Sequence, residues 1–336
     1  MKRSEIPTAL SDAKQIAVER LLAATRERRG HGSWVVRSHP DHNVVGVGVG
    51  RKIKRGRALR THCVRIYVER KISRRALPDH LLLPDRIGGV ITDVIETGRL
   101  CAFLPAAPAG QRRLRPAQPG CSIGFQFPDT QAGAMMAGTL GAIVAGGDGA
   151  RYILSNNHVL ANLNELPVGA PIFQPGLLDG GNVANDQIAT LAAFIPLATG
   201  RPNRVDCALA AVADPGSVNP RFLPKIGRLT SAEPIEAGHD MQVEKTGRAT
   251  GYTTGTVSDV SATIAVDFEE TMLQFEDQVL IKNEAQLFSK GGDSGSLIVD
   301  VDSGRATALL IGGNEIFAIA NHIGDVLRAL DVTLVC

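Results

Sequence analysis

From residue 121 onward every apolar run is short and is closed by Gly, Asp or Asn: TLGAIVA, RYILSN, QIATLAAF, DCALAAV, MQVEKTG, GTVSDV, ATIAVDF, SLIVDV and ATALLIGG. Runs of this length between turn residues suit the strands of an all-β barrel or sandwich better than helices. One closing helix is expected, IGDVLRAL at 323–330. The fold class expected is therefore mainly β, preceded by an α/β portion. That portion opens with TALSDAKQIAVERLLAATRER (8–28), where Ile16, Val18, Leu21 and Leu22 fall near helical spacing, Ser11 offers a cap and Gly30 a stop. VVGVGVG (44–50), CVRIYVE (63–69) and GGVITDVIETG (88–98) have strand composition. LPAAPAGQRRLRPAQPG (104–120), rich in Pro, Ala and Arg, reads as a linker and the main domain boundary.

Composition excludes several function classes. With 336 residues, 44% hydrophobic and 21% charged, the chain can bury a core without disulfide staples. No apolar run approaches the roughly 18 residues of a membrane span, so no membrane partner is expected. The N-terminus is interrupted by Glu5, Asp12, Lys14 and Glu19 and does not read as a secretory signal. Cys63, Cys101, Cys121, Cys207 and Cys336 are scattered without CxxC spacing, which suits reduced thiols in a cytoplasmic protein and indicates no metal site. Residues 1–120 hold 24 Lys and Arg against 10 Asp and Glu, and the remainder reverses that balance. RKIKRGRALR (51–60) is the densest cluster, and no nucleic-acid-binding fold accompanies it, so nucleic acid is not the expected partner. Docking on the acidic remainder, or self-association into a homo-oligomer, accounts for the asymmetry equally well. GVGVG lacks a following helix and KTGRATGYTTGTV (245–257) lacks a GK[ST] ending, so neither reads as a nucleotide loop and no cofactor is expected. The second stretch reads as strand, turn and strand with a structural role.

Three short contexts carry the chemistry. ILSNNHVLA places His158 at a strand end, RVDCALAAV opens an apolar strand with Asp206, and GGDSGSLIV puts Ser294 in a glycine-rich knot. A carboxylate beside Cys207 and Ala208 needs a partner if it is buried, and a histidine held in one tautomer would serve. Asp179 and Asp186 compete for that role, but both belong to DGGNVAND, where turn formation explains them. The other seven histidines, His31, His39, His42, His62, His80, His239 and His322, read as ordinary surface or core residues.

The order His, Asp, Ser in these contexts resembles the chymotrypsin/trypsin-like serine peptidases. NVVGVGVGRKIKRGR, YVERK, ITDVIETG, AGTLGAIV, ILSNNHVLAN and KTGRATGYTTGTV further resemble an intracellular bacterial group related to the plant narrow-leaf regulators. The resemblance implies two six-stranded β-barrels, at 121–224 with His158 and Asp206 and at 225–336 with Ser294, behind an N-terminal helix (1–30) and a basic α/β domain (31–103). It implies a serine endopeptidase acting on protein or peptide substrates. His158 would be the base, Asp206 its orienting partner and Ser294 the nucleophile, with the N–H groups of Gly292 and Ser294 as oxyanion hole. A latent trypsin-fold scaffold is the alternative, and an esterase-like hydrolase a lesser one.

Two features depart from secreted relatives. Their disulfides are lacking, and no activation sequence supplies a new N-terminus to pair with the aspartate before the serine. Asp293 therefore needs another partner, an Arg or Lys side chain or loop N–H groups. The resemblance also places Phe288 at the base of the primary pocket, with Lys290, Gly312 and Gly313 around it. If the Phe288 ring enters the pocket, a shallow apolar site follows. If it turns into the barrel core, the glycines and neighbouring loops shape the pocket instead.

Overall fold

A computed structural model gives the fold. It describes residues 1–22, 43–54, 56–98, 100, 112–126, 136–222, 225–268, 271–283 and 287–336. Gly30, His31, His39, His42, Cys101 and residues 104–111 of the expected linker lie outside the described residues.

The N-terminal portion contains helix α1 (Thr8–Ala17) and strands β1 (Val44–Lys54), β2 (Arg57–Val68), β3 (Arg86–Ile87) and β4 (Val90–Glu96). α1 begins three residues before the expected cap Ser11, because Pro7, with its fixed φ, already sets the chain for a first turn. Its buried face is Leu10, Ala13 and Ala17, whereas Ile16 is 38% exposed. The small residues let the helix lie close, and Ala13 touches the chain at Gly88. The glycines of VVGVGVG sit within β1, and a Cβ at Gly48 or Gly50 would collide with the side chains of Asp259 or Arg65. They make room for two charged groups beneath the strand.

The next region holds β5 (Ser122–Phe125), β6 (Gly138–Thr139), β7 (Ala142–Gly146), β8 (Arg151–Ser155), the single turn α2 (Asn157–Leu160), β9 (Pro171–Phe173), β10 (Gln187–Phe194) and β11 (Ala208–Val212). The last region holds β12 (Gln242–Gly247), β13 (Gly251–Phe268), β14 (Thr271–Lys282), β15 (Leu297–Asp300), β16 (Ala306–Gly313), β17 (Phe317–His322), helix α3 (Ile323–Leu330) and β18 (Val332–Leu334). The chain is thus mainly β, with two curled sheets in a trypsin-like double-barrel arrangement.

β12–β17 close on themselves through the β12–β13 pairing and form a six-stranded barrel. The other sheet runs β18-β7-β8-β11-β10-β9-β5-β6, eight strands rather than the expected six: seven, β5–β11, come from the expected first-barrel region, and the C-terminal β18 adds to β7 as the eighth. GTVSDV and ATIAVDF, separate runs in the sequence, belong to the single strand β13, bent by register shifts between Val257 and Ile264. One face of its second half pairs with β14. Its other edge pairs with β1 through Gly46–Ile264 and Val47–Thr263, so β1–β4 extend the second sheet to ten strands.

The described part of the expected linker is docked rather than free. Ala117 is buried and bridges to Val218, while Arg113 pairs with Asp186 at 2.5 Å. One apolar cluster fills each barrel, and a third, including Val144, Leu154, Leu209, Leu297, Leu309 and Val326, joins the sheets. The seam between them is thereby packed, which is what holds the two halves of a site in register.

Candidate active site

His158 lies in α2, immediately after β8, and Asp206 immediately precedes β11, which pairs with β8 at Ala208–Ser155. Strand pairing therefore delivers the two side chains to one place. His158 Nδ1 lies 2.5 Å from Asp206 Oδ2, and the His158 backbone N–H donates to Asp206 Oδ1 at 3.2 Å. Both residues are buried. The carboxylate thus holds Nδ1 protonated and leaves Nε2 as the acceptor, and that Nε2 is buried with no hydrogen-bond partner among the described residues. Asp206 is fastened in turn: its carbonyl accepts from Asn156 Nδ2 at 2.7 Å, and its N–H donates to Asn321 Oδ1 on β17 at 2.9 Å. Asn321 ties the aspartate of one barrel to the sheet of the other, a link with no signature in the local sequence.

Ser294 lies in the loop between β14 and β15, on the same seam. Gly138 connects the two halves, since a Cβ there would lie 2.6 Å from Val159 and 3.1 Å from the Ser294 carbonyl. Thr139 N–H also donates to that carbonyl at 2.9 Å. The Ser294 hydroxyl donates to Ile311 O at 2.8 Å, not to His158. Gly292 has φ +95°, a left-handed conformation that glycine takes without strain. Among the described residues no hydrogen bond occupies the N–H of Gly292 or Ser294.

The missing partner of Asp293 is Lys245, on β12. Nζ and Oδ2 are 3.1 Å apart, and both side chains are fully buried. Burial lowers the Lys245 pKa, and Asp293 works against that shift. The N–H groups of Ala249, Thr250 and Lys290 and the Thr250 hydroxyl also donate to Asp293, so both kinds of expected partner are present. KTGRATG, read from sequence as structural, carries this cation and folds its turn around the carboxylate. Gly247 is required there, because a Cβ would fall 2.4 Å from Asp293 Oδ1.

Asp179 also differs from its reading as a turn residue. Its side chain is fully buried and paired with Arg248, and it accepts from Ser122 Oγ. Asp186 does serve its turn, accepting from Asn182 N–H at 2.9 Å, and pairs with Arg113 as well. Neither carboxylate meets His158, whose ring nitrogen pairs with Asp206.

The pocket residues separate. Phe288 is fully buried in the second barrel's cluster with Val257, Val279 and Ile281, its ring 5.8 Å from Lys245 Nζ, so the apolar-pocket expectation for Phe288 is replaced by its core alternative. The physical reason is space: Gly255 leaves room for the ring inside the barrel. Lys290 is exposed and contributes its backbone N–H to Asp293. Gly312 and Gly313 lie on β16 opposite Ile319 and Ala318 of β17, just past Ile311.

The His158 ring is covered. Phe268, at the end of β13, meets it edge-on with centroids 5.4 Å apart. Phe268 belongs to a cluster with Leu100, Leu197, Phe275, Ile311 and Phe317, and Asp267 N–H donates to Leu100 O at 3.2 Å. The long β13–β14 hairpin therefore closes over the histidine, with Leu100 packed in the cluster that backs Phe268.

Neither family models nor curated proteins match the chain. Among solved structures it is similar to a glutamic acid specific serine protease described as using a histidine triad in substrate binding, at 18% identity, 65% of this chain, 100% of that one and a TM-score of 0.46. It is similar also to Nocardiopsis protease (14% identity, 66% and 100% covered, TM-score 0.46) and to the MamO protease domain from Magnetospirillum magneticum (15%, 63% and 96%, TM-score 0.37). Each TM-score is below one half, so the weight rests on the geometry of His158, Asp206 and Ser294.

Proposed function

We propose that the chain is a serine endopeptidase acting through His158, Asp206 and Ser294. The observation that carries this reading is the buried His158–Asp206 pair, which leaves an unpartnered Nε2 on the seam shared with Ser294. In the reaction Ser294 Oγ leaves Ile311 O, gives its proton to His158 Nε2 and attacks the peptide carbonyl. The N–H groups of Gly292 and Ser294 receive the oxyanion. Collapse breaks the C–N bond, His158 protonates the leaving amine, and water then hydrolyses the acyl-serine by the same proton route in reverse. Gly312 and Gly313 lie beyond the part of β16 that pairs with β15, where a substrate backbone could add as a strand. Free thiols at Cys63, Cys121, Cys207 and Cys336 support a reducing, cytoplasmic setting for the work.

The cover over His158 and the Ser294–Ile311 bond favour a second reading, a scaffold whose triad stays closed. Fluorophosphonate labelling separates the two. Wild type should label, Ser294→Ala should not, and His158→Ala should label slower by a factor on the order of 10²–10⁴. Phe268→Ala should label faster than wild type. A folded Phe268→Ala that never labels would leave the scaffold.

A further inference from the structure

The turn that cradles Asp293 carries a second buried cation, Arg248, which the proposed reaction does not use. Its side chain is 2% exposed against a fully buried Asp179. Nε and Nη2 both donate to that carboxylate, Nη2 to Oδ1 at 2.7 Å. This two-bond fork is available to a guanidinium and not to an ammonium. Asp179 is itself held by Ser122 Oγ, which accepts from Gly176 N–H at 3.1 Å. Ser122 and Asp179 belong to the first sheet and its loops, and Arg248 belongs to the second. The fork spans the seam.

The remaining guanidinium nitrogen, Nη1, lies over Gly292, within 2.1 Å of where a Cβ would be. On the other side the Gly292 carbonyl accepts from Thr139 Oγ1 at 2.9 Å, and the same hydroxyl accepts from the Arg248 backbone N–H at 3.0 Å. Glycine occupies positive and negative φ with similar ease, so Gly292 does not hold its own peptide in one orientation. Its surroundings must do so, and they are Thr139 at the carbonyl and Arg248 at the Cα.

We propose that Arg248, clamped by Asp179, is a positioning residue that holds the oxyanion donor Gly292 in place. The proposal rests on the serine-peptidase reading of the same site. The guanidinium packed against the Gly292 Cα is tied by two bonds to the opposite sheet, which fixes where that Cα sits. The oxyanion hole is therefore complete only while the two sheets are docked, and docking itself becomes a condition of activity. Lys245 and Arg248 divide the task, one fixing Asp293 and the other Gly292.

The test uses the full chain, fluorophosphonate labelling and hydrolysis of p-nitrophenyl acetate. Removing an oxyanion donor costs about 10²–10³ in kcat, so displacing one should cost about tenfold. Arg248→Lys, which keeps the charge and loses the fork, should show that loss in kcat with KM little changed. Ser122→Ala leaves both charges in place and loosens Asp179, and it should label measurably slower. Ethylguanidinium should restore labelling to Arg248→Ala, and ethylammonium should not. A role confined to stability would lower the unfolding midpoint without this split. If Arg248→Lys does not fold, Ser122→Ala decides alone. Wild-type rates in the folded variants would overturn the clamp and leave the triad standing. A wild type and a Phe268→Ala variant that neither label nor hydrolyse the ester would overturn the peptidase reading and the clamp with it.

Discussion

Apart from Arg65, which is buried beneath β1, the basic hairpin of β1 and β2 and the short turn between β12 and β13 use their cations in opposite ways. In the hairpin, Arg51 pairs with Asp240 at 3.0 Å and both side chains stand about half exposed, at 43% and 58%. Arg74, farther on, pairs with Asp85 in the open. In the turn, Lys245 and Arg248 are buried against Asp293 and Asp179. Exposed pairs gain little in a high-dielectric medium and are screened by salt. Buried pairs repay a large desolvation cost only when geometry and extra hydrogen bonds are good, and what they add is definition of one arrangement. The charge most conspicuous in the composition is thus peripheral, and two cations in an ordinary-looking stretch set the serine loop.

The comparison breaks first at Lys245. Lys245→Met strands Asp293 in the interior, and a buried charge without its partner costs about 3–5 kcal/mol. Denaturant unfolding should show that loss, together with loss of Ser294 labelling. Lys245→Met with Asp293→Asn removes the stranded charge and should recover much of the stability without recovering labelling. Full labelling by the double variant would separate the ion pair from the serine loop.

A smaller effect is expected at His239, which lies against the basic hairpin with its ring 5.9 Å from His62. Burial lowers its pKa from 6.5 to about 4, and nearby positive charge from Arg65 adds to the shift. The unfolded chain takes up this proton first as pH falls. Stability should therefore decline from near pH 6.5 to about 4 and level off below that. His239→Asn should flatten this part of the stability–pH profile, and an unchanged slope would remove His239 as its source.

The smallest effects belong to the exposed pairs. Arg51→Ala and Arg74→Ala should each shift stability by under about 1 kcal/mol. Added salt should leave the docking of β1–β4 intact, because main-chain pairing with β13 and an apolar cluster joining Tyr67 to Ile264 and Phe317 hold it. Salt-dependent proteolysis near residues 112–120 would restore an electrostatic account of that contact.

The parts of this molecule legible in the sequence are those written in consecutive residues. His158, Asp206 and Ser294 each sit in a short context that declares itself, the strands show as apolar runs between turns, and IGDVLRAL is the helix expected. Lys245 with Asp293 and Arg248 with Asp179 are separated by 48 and 69 residues, and pairing across such distances depends on how the sheets meet. A searchable signal does exist, since a buried Asp293 demands a cation and KTGR supplies two on either side of Gly247. Asp179 is hidden by its surroundings, because the Gly and Asn that follow it explain a carboxylate without burial. Phe288 is not placed by its local sequence, because the room for its ring comes from Gly255 on another strand. α1 began early because proline at its entrance outweighed a serine within its first turns.

β13 carries one further implication. Its first half completes a closed barrel and its second half joins β14 to β1, so a single strand is shared between the chemistry-bearing sheet and the N-terminal portion. Phe268, at its far end, rests on His158. Such a strand is a common beam under two rooms: a chain lacking residues 1–100 would bare the β13 edge at Thr263 and Ile264, an open invitation to strand-to-strand aggregation, and would remove Leu100 from the cover of the histidine. The barrels of this protein are therefore not a detachable module, and whatever tugs on β1 pulls on the strand that carries the cover of His158.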